Sequence, residues 1–336
     1  MLLIISIRVF LLFRPWTNNE KPVRIQLKQP TPVAEVGQLL QEKGICSSPT
    51  LFLYLSRLQG ARMIPAGSYQ VPPSEDLYSL VKRFRRGLQS TVKLTLGNER
   101  KRLRTPMQFG AKMEKYGYTL ADSAQWMQFL TSNDSLATFG VDTNTVMTRL
   151  LPLTYDVYWT QPPRTIYQLM NKAWEKFWNA ARKEKARALQ LSPTEIQILA
   201  SIVEEETQHG PDRPLVASTY LNRLRIGMRL QADPTAKFGS RDFEAKRVLF
   251  SHLRHESPYN TYLHAGLPPG PICLPSIAAI DAVLNAPTTD HLYFVASHRF
   301  DGTSVFTKDY SVHLQNARRY QQELDKRTKN KSKSTR

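Results

Sequence analysis

Three consecutive glutamates, Glu204, Glu205 and Glu206, end a stretch that otherwise reads as a helix made for a protein interior. A carboxyl group can act as acid and then as base when loss of solvent lifts its pKa toward neutrality, so the useful question is which of the three points inward. From Ser192 to Gly210 the helix signals are complete. Ser192 suits an N-cap, Pro193 the first helical position, and Glu195 can reach back to close a capping box. Gly210, followed by Pro211, marks the expected end. At 3.6 residues per turn Ile196, Leu199, Ile202 and Val203 form one apolar stripe, and Glu206, four residues after Ile202 and three after Val203, continues it. Glu204 and Glu205 fall on the two flanks. The pattern predicts a desolvated Glu206, and leaves open that it is a structural carboxylate held by one of the many arginines.

Downstream of Glu206 lie polar residues of the kind that orient sugar hydroxyls and stack on sugar faces. Asn222 and Arg223 sit on a following helix, Gln231 and Asp233 follow a turn, and Tyr259-Asn260-Thr261-Tyr262 precedes a proline-rich loop, Gly266 to Ile272, stiff enough for a cleft wall. Each of these taken singly fits a helix-surface or turn role as well. The sequence holds no G-x-G-x-x-G, P-loop, G-x-S-x-G or H-E-x-x-H motif, which removes the usual support for nucleotide binding, serine hydrolysis and zincin chemistry. His252, His255 and Glu256 are close together, but at a spacing that matches neither common zinc-binding helix. No metal or cofactor is expected. Cys46 and Cys273 stand alone and far apart in sequence, which favours two free thiols over a disulfide.

The elements that must position these residues are a mixture of helices and short strands, an α+β class. Helices are expected from Thr31-Pro32, as N-cap and first helical position, through Glu42 to a stop at Gly44, near 50–58 and, capped by Ser74, through Phe84, with strands at 68–71 and 91–96. Ile166, Leu169, Met170, Ala173, Trp174, Phe177, Trp178 and Ala181 recur at helical spacing, so the tryptophans read as core. Asp212-Arg213-Pro214 opens a further helix that Gly227 closes, and two strands flanking Asp301-Gly302 read as a hairpin. Met1 to Phe13 is strongly apolar, though shorter than the ~20 residues that cross a bilayer, and is read as a membrane anchor. Lys326 to Arg336 has six basic residues and no acid, the composition of a disordered tail. The net charge of +18 over 336 residues predicts an anionic partner without choosing among nucleic acid, lipid and wall polymer.

Six motifs, in order and at matching spacing, resemble the YceG-like endolytic murein transglycosylase family (MltG): Ala200 to Thr207, Asn222-Arg223-Leu224, Gly227 to Thr235, Tyr259 to Tyr262, Gly266 to Ile272 and Tyr293 to Ala296. The resemblance is strong from Glu195 to about Arg319 and weaker around Ala66 to Tyr69. It implies a membrane anchor and linker at 1–22, a small LysM-like module at 23–97, a mixed helix/strand catalytic domain at 98–325 and the basic tail at 326–336. It also implies a single-pass protein of the cytoplasmic membrane whose catalytic domain lies on the extracytoplasmic, periplasmic side. There it would cut nascent peptidoglycan strands as a terminase, beside peptidoglycan synthases and without nucleic acid. By resemblance the catalytic glutamate falls on Glu206, with substrate-binding roles near Asn222, Gln231, Asp233, Tyr259, Asn260 and Thr261. The chain departs from the family pattern at Leu153, where a polar residue is usual, and around Ser304 and Leu314, where histidine and asparagine are common.

A hydrolysing glycosidase needs two carboxylates across the bond, and Glu204 and Glu206, two apart on a helix, cannot be that pair. A lytic transglycosylase uses the sugar's own C6 hydroxyl in place of water and leaves a 1,6-anhydro-MurNAc end. The rival readings are a lysozyme-like muramidase, with Asp233 or Asp212 as the second carboxylate, and a non-catalytic wall-binding or scaffold protein. Nucleic-acid binding ranks last, because it must combine a basic face with an apolar anchor.

Overall fold

A computed structural model describes residues 15–97, 102–245 and 247–334, excepting the side chains of 329–334. The expected anchor, Met1 to Phe13, lies outside the described residues, and no described helix is long and apolar enough to cross a membrane. The chain divides into two compact units, one running to Leu94 with Gly110–Trp126 and Thr154–Ile166, the other formed by the remainder.

In the first unit the strands Val23–Leu27 and Gly67–Val71 pair antiparallel, with Val23 opposite Val71 and Ile25 opposite Tyr69. The helices Val33–Glu42 and Thr50–Leu58 come between them in sequence, and Leu77–Arg85 follows. Alternation along the first strand buries Ile25 and Leu27, and these join Val36, Leu40, Phe52, Tyr69 and Phe84 in one apolar cluster. The cap of the third helix is not Ser74, whose φ of 56° takes it out of the helical path; Asp76 accepts the Ser79 amide at 2.8 Å instead. Residues 23–94 of the expected LysM-like module fall in this unit.

The second unit is built round the helix Pro193–Glu206. Its start is as expected: Ser192 Oγ accepts the Glu195 amide at 3.2 Å, and Glu195 accepts the Ser192 amide at 2.7 Å. Its end differs. Thr207 is already extended, at φ −140°, because the guanidinium of Arg102 takes the Glu204 carbonyl and the chain turns into the short 3-10 segment Gly210–Asp212. Glu206 is therefore the last helical residue.

The helix is also buried on every side from Ile196 to Glu204, not along one stripe. The helices Arg213–Arg225 and Ile277–Leu284 pack on it, and Ile196, Leu199, Ile202, Val203, Val216, Tyr220, Ile280 and Val283 share one core with Trp174 and Trp178. Two polar side chains inside this core are paired, while the Trp178 indole N–H is buried without a partner among the described residues. Gln197 Oε1 accepts the Trp174 indole N–H at 2.5 Å, and Ser201 Oγ accepts the Ile272 amide at 3.0 Å.

The strands Tyr293–Ala296 and Ser304–Thr307 form the expected antiparallel hairpin, and the helix Tyr310–Ser334 lies on it. Lys326 to Ser334 thus continue a helix, where composition predicts a disordered tail. An established helix propagates readily through residues such as Lys and Arg, since only its first turn is costly to form.

Candidate active site

The three glutamates that end the central helix meet different fates. Glu204 is 8% exposed, so flank position did not keep it in solvent. Its Oε1 lies 3.3 Å from both Arg102 and Arg213, and its Oε2 accepts the Ser276 hydroxyl at 2.5 Å. Glu205 is paired with Arg104 at 2.8 Å and Arg102 at 3.3 Å. Both carboxylates are thus compensated by guanidinium groups. Glu206 has no ion pair among the described residues; Tyr220 donates its hydroxyl to Oε1 at 2.5 Å.

Burial lifts the Glu206 carboxyl from 4.5 to about 7. The Tyr220 hydrogen bond and the Arg223 charge oppose this rise, while the charges of Asp233 and Glu205 add to it. The partial negative charge at a helix C-terminus acts in the same direction, favouring the protonated group on the last helical residue. A carboxyl with a pKa near 7 is suited to give a proton and take one back at neutral pH.

Glu206 and Asp233 stand together in a cleft with two arms. One arm, of about 360 Å³, is lined by Tyr220, Arg223, Gln231, Tyr262, Tyr293, Phe294, Tyr310 and His313. The other, of about 480 Å³, is lined by Arg104, Glu205, Lys237, Phe238, Phe243 and Arg247. Asp233 opens the helix Asp233–Gly239 and accepts the Tyr262 hydroxyl at 2.6 Å. Arg223 is buried under the first arm, where it donates to the carbonyls of Leu230, at 2.6 Å, and Leu292, at 2.7 Å, and so ties the Gln231 turn to the hairpin. Tyr293 stacks on His313 with ring centroids 5.4 Å apart. Burial and the Arg223 charge hold the His313 pKa below its usual 6.5, leaving a neutral ring at neutral pH.

Of the residues given substrate-binding roles by resemblance, Gln231 and Asp233 line this cleft with Glu206. The others lie elsewhere. Asn222 is buried and donates to the carbonyls of Thr289, at 2.9 Å, and His291, at 3.0 Å, which makes it a clamp on the loop before the hairpin. Asn260 is fully buried and donates to the carbonyls of His252, Leu253 and His255. Thr261 Oγ1 accepts the Ala232 amide and bonds Thr235, holding the turn that carries Gln231. Tyr259 packs on Phe238 at 4.7 Å and lines a neighbouring groove that does not contain Glu206. These amides and hydroxyls satisfy backbone groups of irregular segments, which a sequence motif does not distinguish from ligand contacts.

The loop Gly266 to Ile272 lines neither arm; it packs toward the central helix through the Ile272–Ser201 bond. His252 has both ring nitrogens engaged, by the Leu249 amide and Asp242, and no group of three metal-ligating side chains occurs among the described residues. Asp212 is buried, and accepts the Ser304 amide at 2.6 Å beside His209. Cys46 and Cys273 are free and buried. Several cleft residues carried no signal in the sequence, Tyr220 and His313 among them. Tyr220 sits where helix period predicts core, and His313 falls one residue before the Leu314 position at which the family pattern is broken.

The fold is similar to that of a crystallised yceG-like protein from Listeria monocytogenes, with a TM-score of 0.58 and 23% identity over 88% of this chain and 99% of that one. In sequence the chain is 28% identical to the endolytic murein transglycosylase of Bacillus subtilis (strain 168), over 90% of this chain and 86% of that protein. It is 26% identical to the endolytic murein transglycosylase of Streptococcus pneumoniae (strain ATCC BAA-255 / R6), over 83% of this chain and 55% of that longer protein. A profile of the YceG-like family matches residues 25–319, nearly the whole of the chain, which therefore belongs to the YceG-like family.

Proposed function

We propose that this protein is an endolytic lytic transglycosylase of peptidoglycan, with Glu206 as its acid and base. The observation that carries the reading is the isolation of one carboxyl: Glu204 and Glu205 are neutralised by arginines, while Glu206 lies in an aromatic cleft with a pKa near 7. The family membership and the activity named for the two relatives support it.

In this mechanism Glu206, protonated, gives its proton to the oxygen between MurNAc and GlcNAc as the bond to C1 breaks. The carboxylate so formed, held by Tyr220, then takes the proton of the C6 hydroxyl while that oxygen closes on C1. The GlcNAc leaves with the first proton, the second returns Glu206 to its starting state, and the strand ends in 1,6-anhydro-MurNAc. The aromatic rings of the first arm supply faces for sugar stacking, and Gln231 supplies an amide for a hydroxyl.

One observation favours a second reading. Asp233 stands in the same cleft as Glu206, so a hydrolytic pair of carboxylates is available. Mass spectrometry of products from purified glycan strands separates the two, because hydrolysis adds a water and transglycosylation does not. Anhydro ends are expected; products one water heavier would replace this mechanism with that of a muramidase, and intact strands would remove both.

The same reading extends to strand termination at the extracytoplasmic face of the cytoplasmic membrane, with the apolar run Met1 to Phe13 as tether. The antiparallel pairing of Val23–Leu27 with Gly67–Val71, with the helices Val33–Glu42 and Thr50–Leu58 between them in sequence, supports a LysM-like glycan-binding role for the first unit. Recovery of the native protein entirely in a soluble cytosolic fraction would end the membrane part of the proposal.

A further inference from the structure

The second arm of the cleft has a charge pattern that the proposed reaction does not use. Its carboxyl groups are each accounted for: Glu205 by Arg104, Asp233 by Tyr262 and Glu206 by Tyr220. Arg104 is in turn occupied by Glu205 and lies over the Phe243 ring, 5.5 Å from its centroid. Lys237 and Arg247 also line this arm, and neither makes an ion pair or side-chain hydrogen bond with any described residue. Two uncommitted cations therefore face a space of about 480 Å³ that opens directly beside the reacting carboxyl. In the first arm the cation lining it, Arg223, is committed to the carbonyls of Leu230 and Leu292.

A neutral sugar chain gives a lysine and an arginine nothing to neutralise. On a glycan strand the negative charge sits on the lactyl branch of MurNAc, either as the lactyl carboxylate itself or, where that is amide-linked, on the carboxylates of the attached peptide.

We propose that Lys237 and Arg247 form a subsite for a carboxylate carried on the MurNAc branch, which places the branched sugar on the cationic side of Glu206. The inference rests on the glycan-strand reading above. It predicts that affinity depends on the charge of the branch and weakens with salt, because contacts in an open cleft are screened.

The test is a binding measurement on the full chain carrying Glu206→Gln, which stops turnover. Three preparations of equal strand length are compared: strands with peptides, strands stripped of peptides, and stripped strands whose carboxylates have been methyl-esterified. At least one anionic preparation is expected to bind about tenfold more tightly than the ester, and the gap should close at high salt. Tighter binding of stripped strands identifies the lactyl carboxylate; tighter binding of peptide-bearing strands identifies the peptide.

The gap is expected to vanish when Lys237→Gln and Arg247→Gln are added. It should persist when Lys172→Gln and Lys183→Gln, two exposed charges outside the cleft, are added in their place. A gap that survives the first pair, or that the second pair removes equally, overturns the subsite. So does equal binding of ester and anion. If none of the strands binds, and the unsubstituted chain also releases no anhydro ends from them, the glycan reading itself has failed; strands that bind without regard to charge sink the subsite alone.

Discussion

The two sides of the central helix's last turn carry the same chemical group in opposite circumstances. On one side Glu204 and Glu205 meet the guanidinium groups of Arg102, Arg104 and Arg213. On the other, Glu206 meets a tyrosine hydroxyl and aromatic walls, and its proton is retained to about pH 7. Glu204 is the more buried of Glu204 and Glu206, so burial alone does not make a carboxyl reactive. What separates them is whether the charge lost from water is returned by a cation, which binds the proton's competitor, or left to a neutral donor, which keeps the proton available.

The largest expected effect comes from erasing the reactive side of this contrast. Glu206→Gln keeps the size of the side chain and removes its proton, and should lower release of anhydro ends by about 10²- to 10⁴-fold or more. The same substitution has a stability signature. Because the folded pKa of about 7 lies above the ordinary 4.5, Glu206 favours the folded state fully below pH 4.5, and that contribution is lost as pH rises through 7. At pH 8 the melting temperature of Glu206→Gln should therefore be no lower than that of the unsubstituted chain. A clear fall, with activity per folded molecule preserved, would make Glu206 a structural group like its neighbours.

Glu204→Gln tests the other side. Removing a charge from between two guanidinium groups should destabilise by roughly 3 kcal/mol, read by denaturant unfolding, while cleavage per folded molecule stays within severalfold. Loss of turnover at unchanged stability would reverse the assignment of roles.

The two smaller effects fall on the pH profile. A general acid that titrates near 7 predicts that kcat/KM declines above about pH 7. Tyr220→Phe deletes the hydrogen bond that favours the ionised form, so the alkaline limb should move to higher pH. Asp233→Asn deletes a like charge, and the limb should move to lower pH. Shifts in one common direction would show that another group sets the limb.

Much of the framework was legible locally. The capping box of Ser192 and Glu195, the turn at Gly227 and the hairpin round Asp301-Gly302 each depend on a few neighbouring residues whose backbone preferences agree. The apolar stripe of the central helix carried less information. It singled out Glu206 on a helix that is buried all round, where Glu204, on the flank of the stripe, is buried as well. Helical phase says which way a side chain leaves its own axis, but not how many other elements close around that axis.

The substrate-facing residues show the same boundary more sharply. Asn222, Asn260 and Thr261 have the chemistry of sugar ligands, yet the fold turns each toward backbone groups that would otherwise be buried without a partner. Tyr220 and His313, 93 positions apart, become cleft neighbours only because the Arg213–Arg225 helix and the last helix both pack against the strand Tyr293–Ala296.

The sequence by itself determined where helices begin, which turns need glycine, and that an acidic triplet ends a helix rich in apolar residues. Propensity, capping and period act over a few residues, and a chain read in order contains them. Which glutamate keeps its proton was decided by the tertiary structure alone. The pKa of a buried carboxyl depends on the charges and donors within a few ångströms, and here those come from Arg102, Tyr220, Arg223 and Asp233, residues that only folding brings to one place.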